Sequence, residues 1–135
     1  MSGGKVRVLL VDDVDDQRVL VRVALETSGQ WLVVAEASNG AQAVSQAEAH
    51  QPELVLLDLE MPWVDGIEAL PYIRHAAPGA VVVAWTAHGD GVRARSALDL
   101  GAAAVVTKGY FQIGELGHHL AAILDEHGVE LSRSA

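Results

Sequence analysis

The chain contains no cysteine, so disulfides, thiol nucleophiles and thiolate metal sites are all excluded. It is also short of positive charge, with 9 Lys and Arg against 18 Asp and Glu and a net charge of −9. A protein that grips a phosphate backbone needs a clustered basic face to displace counterions. Here the basic residues are scattered, apart from Arg93 and Arg95, and no nucleic-acid partner is expected. Cations or basic protein surfaces suit this charge better. No window reaches the ~18 consecutive apolar residues of a membrane span. The opening MSGGKVRV is short and polar, unlike a secretory leader. A chain of 135 residues, half of them hydrophobic, fits one domain with a single core. The expectation is a soluble cytoplasmic protein with no membrane partner.

Five apolar runs recur along the chain: VRVLLV (6–11), LVVAEA (32–37), LVLLD (54–58), AVVVAWT (80–86) and AAAVVTK (102–108). They are short, rich in Val and Leu, and largely without polar alternation, as strands buried on both faces are. The segments between them read as helices. In the first, Leu20, Val23, Ala24 and Thr27 have the i, i+3, i+4, i+7 spacing of one buried face. Leu116, Leu120, Ile123, Leu124 and His127 repeat that pattern in the last. The third is led by Ile67, Leu70 and Ile73, and Pro71 predicts that it starts late or kinks. The second (41–50) and fourth (91–100) are Ala-rich. Ser28-Gly29, Ser38-Asn39-Gly40, Pro78-Gly79 and Gly101 punctuate the series as turns and helix ends. Strict β–α alternation predicts an α/β doubly wound parallel sheet covered on both faces. The domain is expected over 5–127, with residues 1–4 a disordered N-terminus and 128–135 a C-terminal tail.

Open parallel sheets bind ligands beyond the carboxyl ends of their strands. Strand one ends in Asp12-Asp13, strand three in Asp58, strand four in Thr86 and strand five in Lys108. Taken singly, an acid after a strand is an ordinary helix cap or turn former, and a lysine there an ordinary surface residue. Together they place three carboxylates, a hydroxyl and an ammonium at one sheet edge. Mg²⁺ takes oxygen ligands and keeps several waters, so Asp12, Asp13 and Asp58 suffice to hold it. Asp15 and Asp16 read instead as first-turn acids favoured by the helix dipole. Beside a metal and a lysine, a carboxylate can act as nucleophile toward phosphorus.

These residues resemble the receiver domain of two-component response regulators. The likeness runs from about Lys5 to Ile123 and rests on VDD at 11–13, LLDLEMPWVDG at 56–66, TA at 86–87 and GAAAVVTK at 101–108. It implies a five-stranded flavodoxin-like (βα)5 domain of strand order 2-1-3-4-5. It further implies that Asp58 is the phosphoacceptor, that Asp13 binds Mg²⁺ directly and Asp12 mostly through metal-bound water, and that Glu60 offers its backbone carbonyl. Lys108 would pair with the phosphoryl group, and Thr86 would swing in to it, reshaping the face of helix four, strand five and helix five. Glu60 and His88 would flank the path of the hydrolytic water and modulate the lifetime of the phosphorylated state. The implied partners are a sensor histidine kinase or histidine phosphotransfer protein, a downstream effector and a second copy in a homodimer.

Two positions depart from the family pattern. Val105, with Thr86 a switch position, stands where the family often has Tyr or Phe. Gly109 follows Lys108 where the family usually has a cis proline; without proline a cis bond costs ~3 kcal/mol, so a trans or strained bond is expected. These departures give weight to an alternative, a docking or dimerisation module that is not phosphorylated. A metal-dependent phosphatase is a third reading, but Asp58-Leu59-Glu60 is a poor imitation of its D-x-D signature. GYFQIGEL (109–116) lacks the Lys-Ser/Thr of a nucleotide loop. Trp31 and Trp85 are expected to pack inside, and Trp63 to lie partly exposed near the site.

Overall fold

The computed structural model describes residues 4–61 and 66–128. Five strands alternate with five helices: β1 (Val6–Val11), α1 (Asp15–Thr27), β2 (Trp31–Ala37), α2 (Gly40–His50), β3 (Leu54–Asp58), α3 (Gly66–Ala76), β4 (Val81–Thr86), α4 (Val92–Asp99), β5 (Ala104–Thr107) and α5 (Leu116–Glu126). A 3₁₀ turn over Ile113–Glu115 leads into α5. All strand pairs are parallel, in the order β2-β1-β3-β4-β5. The chain leaves β1 for β2 on one side and returns to β3 on the other. A crevice therefore opens at the carboxyl ends of β1 and β3.

The strands lack polar alternation because both sheet faces are covered. Leu9, Val11, Val55, Leu57, Val82 and Ala84 point into a core closed by Ala43 and Ala47 of α2 and Leu70 and Ile73 of α3. The intervening Val6, Val8, Leu10, Leu54, Leu56 and Val83 point into a second core closed by α1 and α5. Trp31 and Trp85 both lie in this second core, as expected. Asn39 caps α2, its Oδ1 accepting the Gln42 N–H at 2.8 Å.

Three local expectations are corrected. On α1 the buried residues are Val21 and Leu25, whereas Leu20 and Val23 are 53% and 55% exposed. Val19, Leu20, Val21, Val23, Ala24 and Leu25 spread well beyond a single stripe of this helix, so periodicity alone did not single out its inner face. Helix α3 spans Gly66–Ala76 with Pro71 inside it, so it does not start late. Strand β5 is shorter than the apolar run that suggested it, and Lys108 stands just beyond its end. Among the described residues there is no cis peptide, and Gly109 takes φ +84°, a left-handed conformation that glycine adopts freely. No helix among the described residues is long and apolar enough to cross a membrane.

Candidate metal centre

Strands β1 and β3 are neighbours, and each delivers an aspartate to the crevice. Asp12 Oδ1 accepts the Val14 N–H at 2.8 Å, and Asp58 Oδ1 accepts the Glu60 N–H at 2.8 Å. These are the turn-forming bonds expected of any acid after a strand. They do not exhaust the carboxylates. Asp12 Oδ2 is buried without a hydrogen-bond partner, and one oxygen each from Asp12, Asp13 and Asp58 lie within 4.8 Å of one another.

Asp12 and Asp58 are 4% and 2% exposed. Burial pushes the Asp12 pKa up to about 6; the Asp58 charge adds to that rise, while the Val14 N–H opposes it. Converging acceptors, one of them orphaned, call for a cation. The donor set is all oxygen and only three carboxylates strong, which fits Mg²⁺ with water completing its shell. Asp15 and Asp16 remain in the first turn of α1, outside this cluster.

Lys108 approaches from the end of β5. Its Nζ lies 3.1 Å from Asp58 Oδ1 and 5.9 Å from the centroid of the Trp85 ring. The lysine backbone is pinned by its N–H to the Thr86 carbonyl at 2.7 Å. A flexible side chain is thus held between an aromatic face and a buried carboxylate.

Thr86 is 1% exposed, and its hydroxyl donates to Glu60 Oε2. Glu60 Oε1 accepts the Ala87 N–H at 3.0 Å and lies 3.6 Å from Lys108 Nζ. Burial opposes the Glu60 charge, but the bonds from Thr86 and Ala87 and the Lys108 charge outweigh it and hold the carboxyl below its ordinary pKa. The sequence reading assigned Glu60 a backbone carbonyl and a modulating place, and missed this side-chain role. Arg18 was missed as well. It donates through Nη1 to the Asp12 carbonyl at 2.5 Å while Nε pairs with Glu36 at 3.0 Å, bracing the β1–α1 turn against β2. A lone arginine beside an acid pair was the only signal for it.

The other expected residues lie at the margin. His88 is exposed, and its backbone N–H donates to Thr86 Oγ1 at 3.1 Å. Val105 sits opposite Ala84, back from the end of β5, and packs against the α2–α3 core. Trp63 falls outside the described residues. Gly66 explains the last letter of the D-G pair. A Cβ there would stand 2.5 Å from the Asp58 carbonyl oxygen, so only glycine lets α3 begin against the strand end.

A family model for the response regulator receiver domain matches residues 8–121. The chain belongs to that family. This receiver domain resembles chemotaxis protein CheY of Bacillus subtilis (strain 168), at 38% identity over 102 residues, covering 76% of this chain and 84% of the relative. It also resembles protein-glutamate methylesterase/protein-glutamine glutaminase 5 of Geobacter metallireducens, at 40% identity over 105 residues. That match covers 77% of this chain but only 29% of the relative. The receiver domain thus spans about three tenths of the length of such methylesterases. Among solved structures, the response regulator domain of Thermotoga maritima CheB superposes with a TM-score of 0.81 at 26% identity, covering 94% of this chain and 99% of that one. A LuxR-family two-component response regulator from Aurantimonas sp. SI85-9A1 gives a TM-score of 0.82 at 30% identity, covering 97% and 93%. The protein is a CheY-like receiver domain of two-component signalling, with the strand order that the resemblance implied.

Proposed function

We propose that this receiver domain accepts a phosphoryl group on Asp58, in a reaction that depends on Mg²⁺ held by Asp12, Asp13, Asp58 and the backbone carbonyl of Glu60. The observation that carries this reading is the Lys108 ammonium, 3.1 Å from a buried carboxylate inside a three-acid cluster. An Asp58 oxygen attacks the phosphorus of a phosphohistidine or acyl phosphate. A P–O bond to Asp58 forms as the donor bond breaks, its electron pair leaving with the donor. Bound Mg²⁺ would neutralise charge on the transferring group. Lys108 faces the developing negative charge, and the Thr86 hydroxyl and Ala87 N–H supply hydrogen bonds to the phosphoryl oxygens.

The donor is a cytoplasmic sensor histidine kinase or histidine phosphotransfer protein. The output is a protein contact on the face of α4, β5 and α5, where an open groove of about 350 Å³ is lined by Val105, Tyr110, Phe111, His119 and Ile123. A downstream effector or a second copy would dock there. The domain takes up one phosphoryl group and loses it by hydrolysis, with Glu60 and His88 modulating the loss; it is not a multiple-turnover enzyme. No shift of duplex DNA is expected.

The test is intact mass after incubation with acetyl phosphate, with and without Mg²⁺, on wild type and Asp58→Ala. One phosphoryl adduct, dependent on metal and absent from the variant, is the expected result. No adduct after rapid quenching would overturn the phosphoacceptor reading and favour a docking module.

A further inference from the structure

Glu60 already holds the donors that the proposed phosphoryl group needs. Its carboxylate accepts the Thr86 hydroxyl and the Ala87 N–H, the latter at 3.0 Å, and its Oε1 lies 3.6 Å from Lys108 Nζ. A hydroxyl, a backbone amide and an ammonium converge on one anion beside Asp58. These donors can be shared only so far. Thr86 has a single hydroxyl proton and Ala87 a single N–H, so a well-formed bond to Glu60 competes directly with one to a phosphoryl oxygen.

We propose that the Glu60 side chain is a built-in competitor for the phosphoryl-binding donors, displaced when Asp58 is phosphorylated. This rests on the reading of Asp58 as phosphoacceptor. The exposures say which partner moves: the Glu60 side chain is 32% exposed, whereas Thr86 is 1% exposed. The Glu60 backbone is tied separately, by its N–H to Asp58 Oδ1 at 2.8 Å, so the carboxylate can swing outward while the turn stays in place. Thr86 is already held inward, and the His88 N–H bond to its oxygen fixes its orientation. Phosphorylation therefore exchanges one anion for another at Thr86. It does not need to draw the hydroxyl in from solvent.

The experiment is the Mg²⁺-dependent rate of Asp58 phosphorylation by acetyl phosphate, read by quenched intact mass on wild type, Glu60→Gln, Glu60→Ala, Thr86→Ala and the Glu60→Ala/Thr86→Ala double variant. Removing the competitor is expected to speed Glu60→Ala about tenfold. Glu60→Gln, which keeps an acceptor but loses the charge, should fall between it and wild type. In the Thr86→Ala background Glu60 has lost its main anchor, and the gain should shrink to less than about threefold. A Glu60→Ala rate at or below wild type would overturn the competitor while leaving Asp58 as phosphoacceptor. A full tenfold gain in the Thr86→Ala background would mean that Glu60 only repels the anionic donor, and would also overturn it. No adduct on any variant defeats the phosphoacceptor reading, and this inference with it. An amide spectrum without phosphoryl donor gives a second check. The Ala87 resonance should move in Glu60→Ala, and an unmoved resonance would show that the bond does not exist.

Discussion

Lys108 Nζ lies 3.1 Å from Asp58 Oδ1, and the two side chains are 19% and 3% exposed. This pair joins the end of β5 to the end of β3 across β4. It brings a positive charge to the acid cluster, and that charge would have two opposed effects. It would assist an anion arriving at Asp58 and compete with a cation for the same carboxylate.

Lys108→Ala should separate those effects. Phosphorylation by acetyl phosphate should slow about a hundredfold, the loss seen when one preorganised charge partner is removed. Mg²⁺ binding, followed by calorimetric titration, should become severalfold tighter because the competing ammonium is gone. Unchanged metal affinity would show that the lysine does not compete at the cluster.

Asp12 makes stability depend on pH in an unusual direction. Its folded pKa of about 6 lies above the ordinary 3.8. Between those values the native protein keeps a proton that the unfolded chain releases, so stability falls as pH rises through the window. The penalty is fully present above about pH 6 and amounts to at most about 3 kcal/mol. Urea unfolding in EDTA, compared with Asp12→Asn, isolates it. Wild type should lose ground to the variant from about pH 4 to pH 6 and hold a constant difference above that. Saturating Mg²⁺ should relieve the wild-type penalty, since ionised Asp12 then has a cation. A difference that stays flat across the window would remove the basis for this claim.

Gly66→Ala tests the junction between β3 and α3. The added methyl would meet the Asp58 carbonyl oxygen at 2.5 Å and Leu57 Cγ at 3.1 Å, and the backbone oxygen cannot step aside as a side chain would. A loss of about 1–3 kcal/mol in urea unfolding is expected. Phosphorylation should weaken as well, because the strand end carrying Asp58 must shift. An alanine variant as stable as wild type would show that the junction has slack.

The division between what the sequence held and what folding added follows from how each signal is encoded. The buried strands were legible because two covered faces demand unbroken apolar runs. Asp12, Asp13, Asp58, Thr86 and Lys108 were legible because strand ends in this topology share one edge. The inner face of α1 was not, since Leu20, Val21, Val23 and Leu25 all look alike until the sheet and α5 choose Val21 and Leu25. Nor was the grip of Glu60 on Thr86, because contact between two distant side chains depends on the spacing of β3 and β4 and on one rotamer. By itself the sequence determined the order of elements and the residues brought to the sheet edge, through the periodicities that burial imposes on a chain. Only the tertiary structure decided which of those residues hold one another, because hydrogen bonds and ion pairs are set by distances of a few ångströms that no local pattern records.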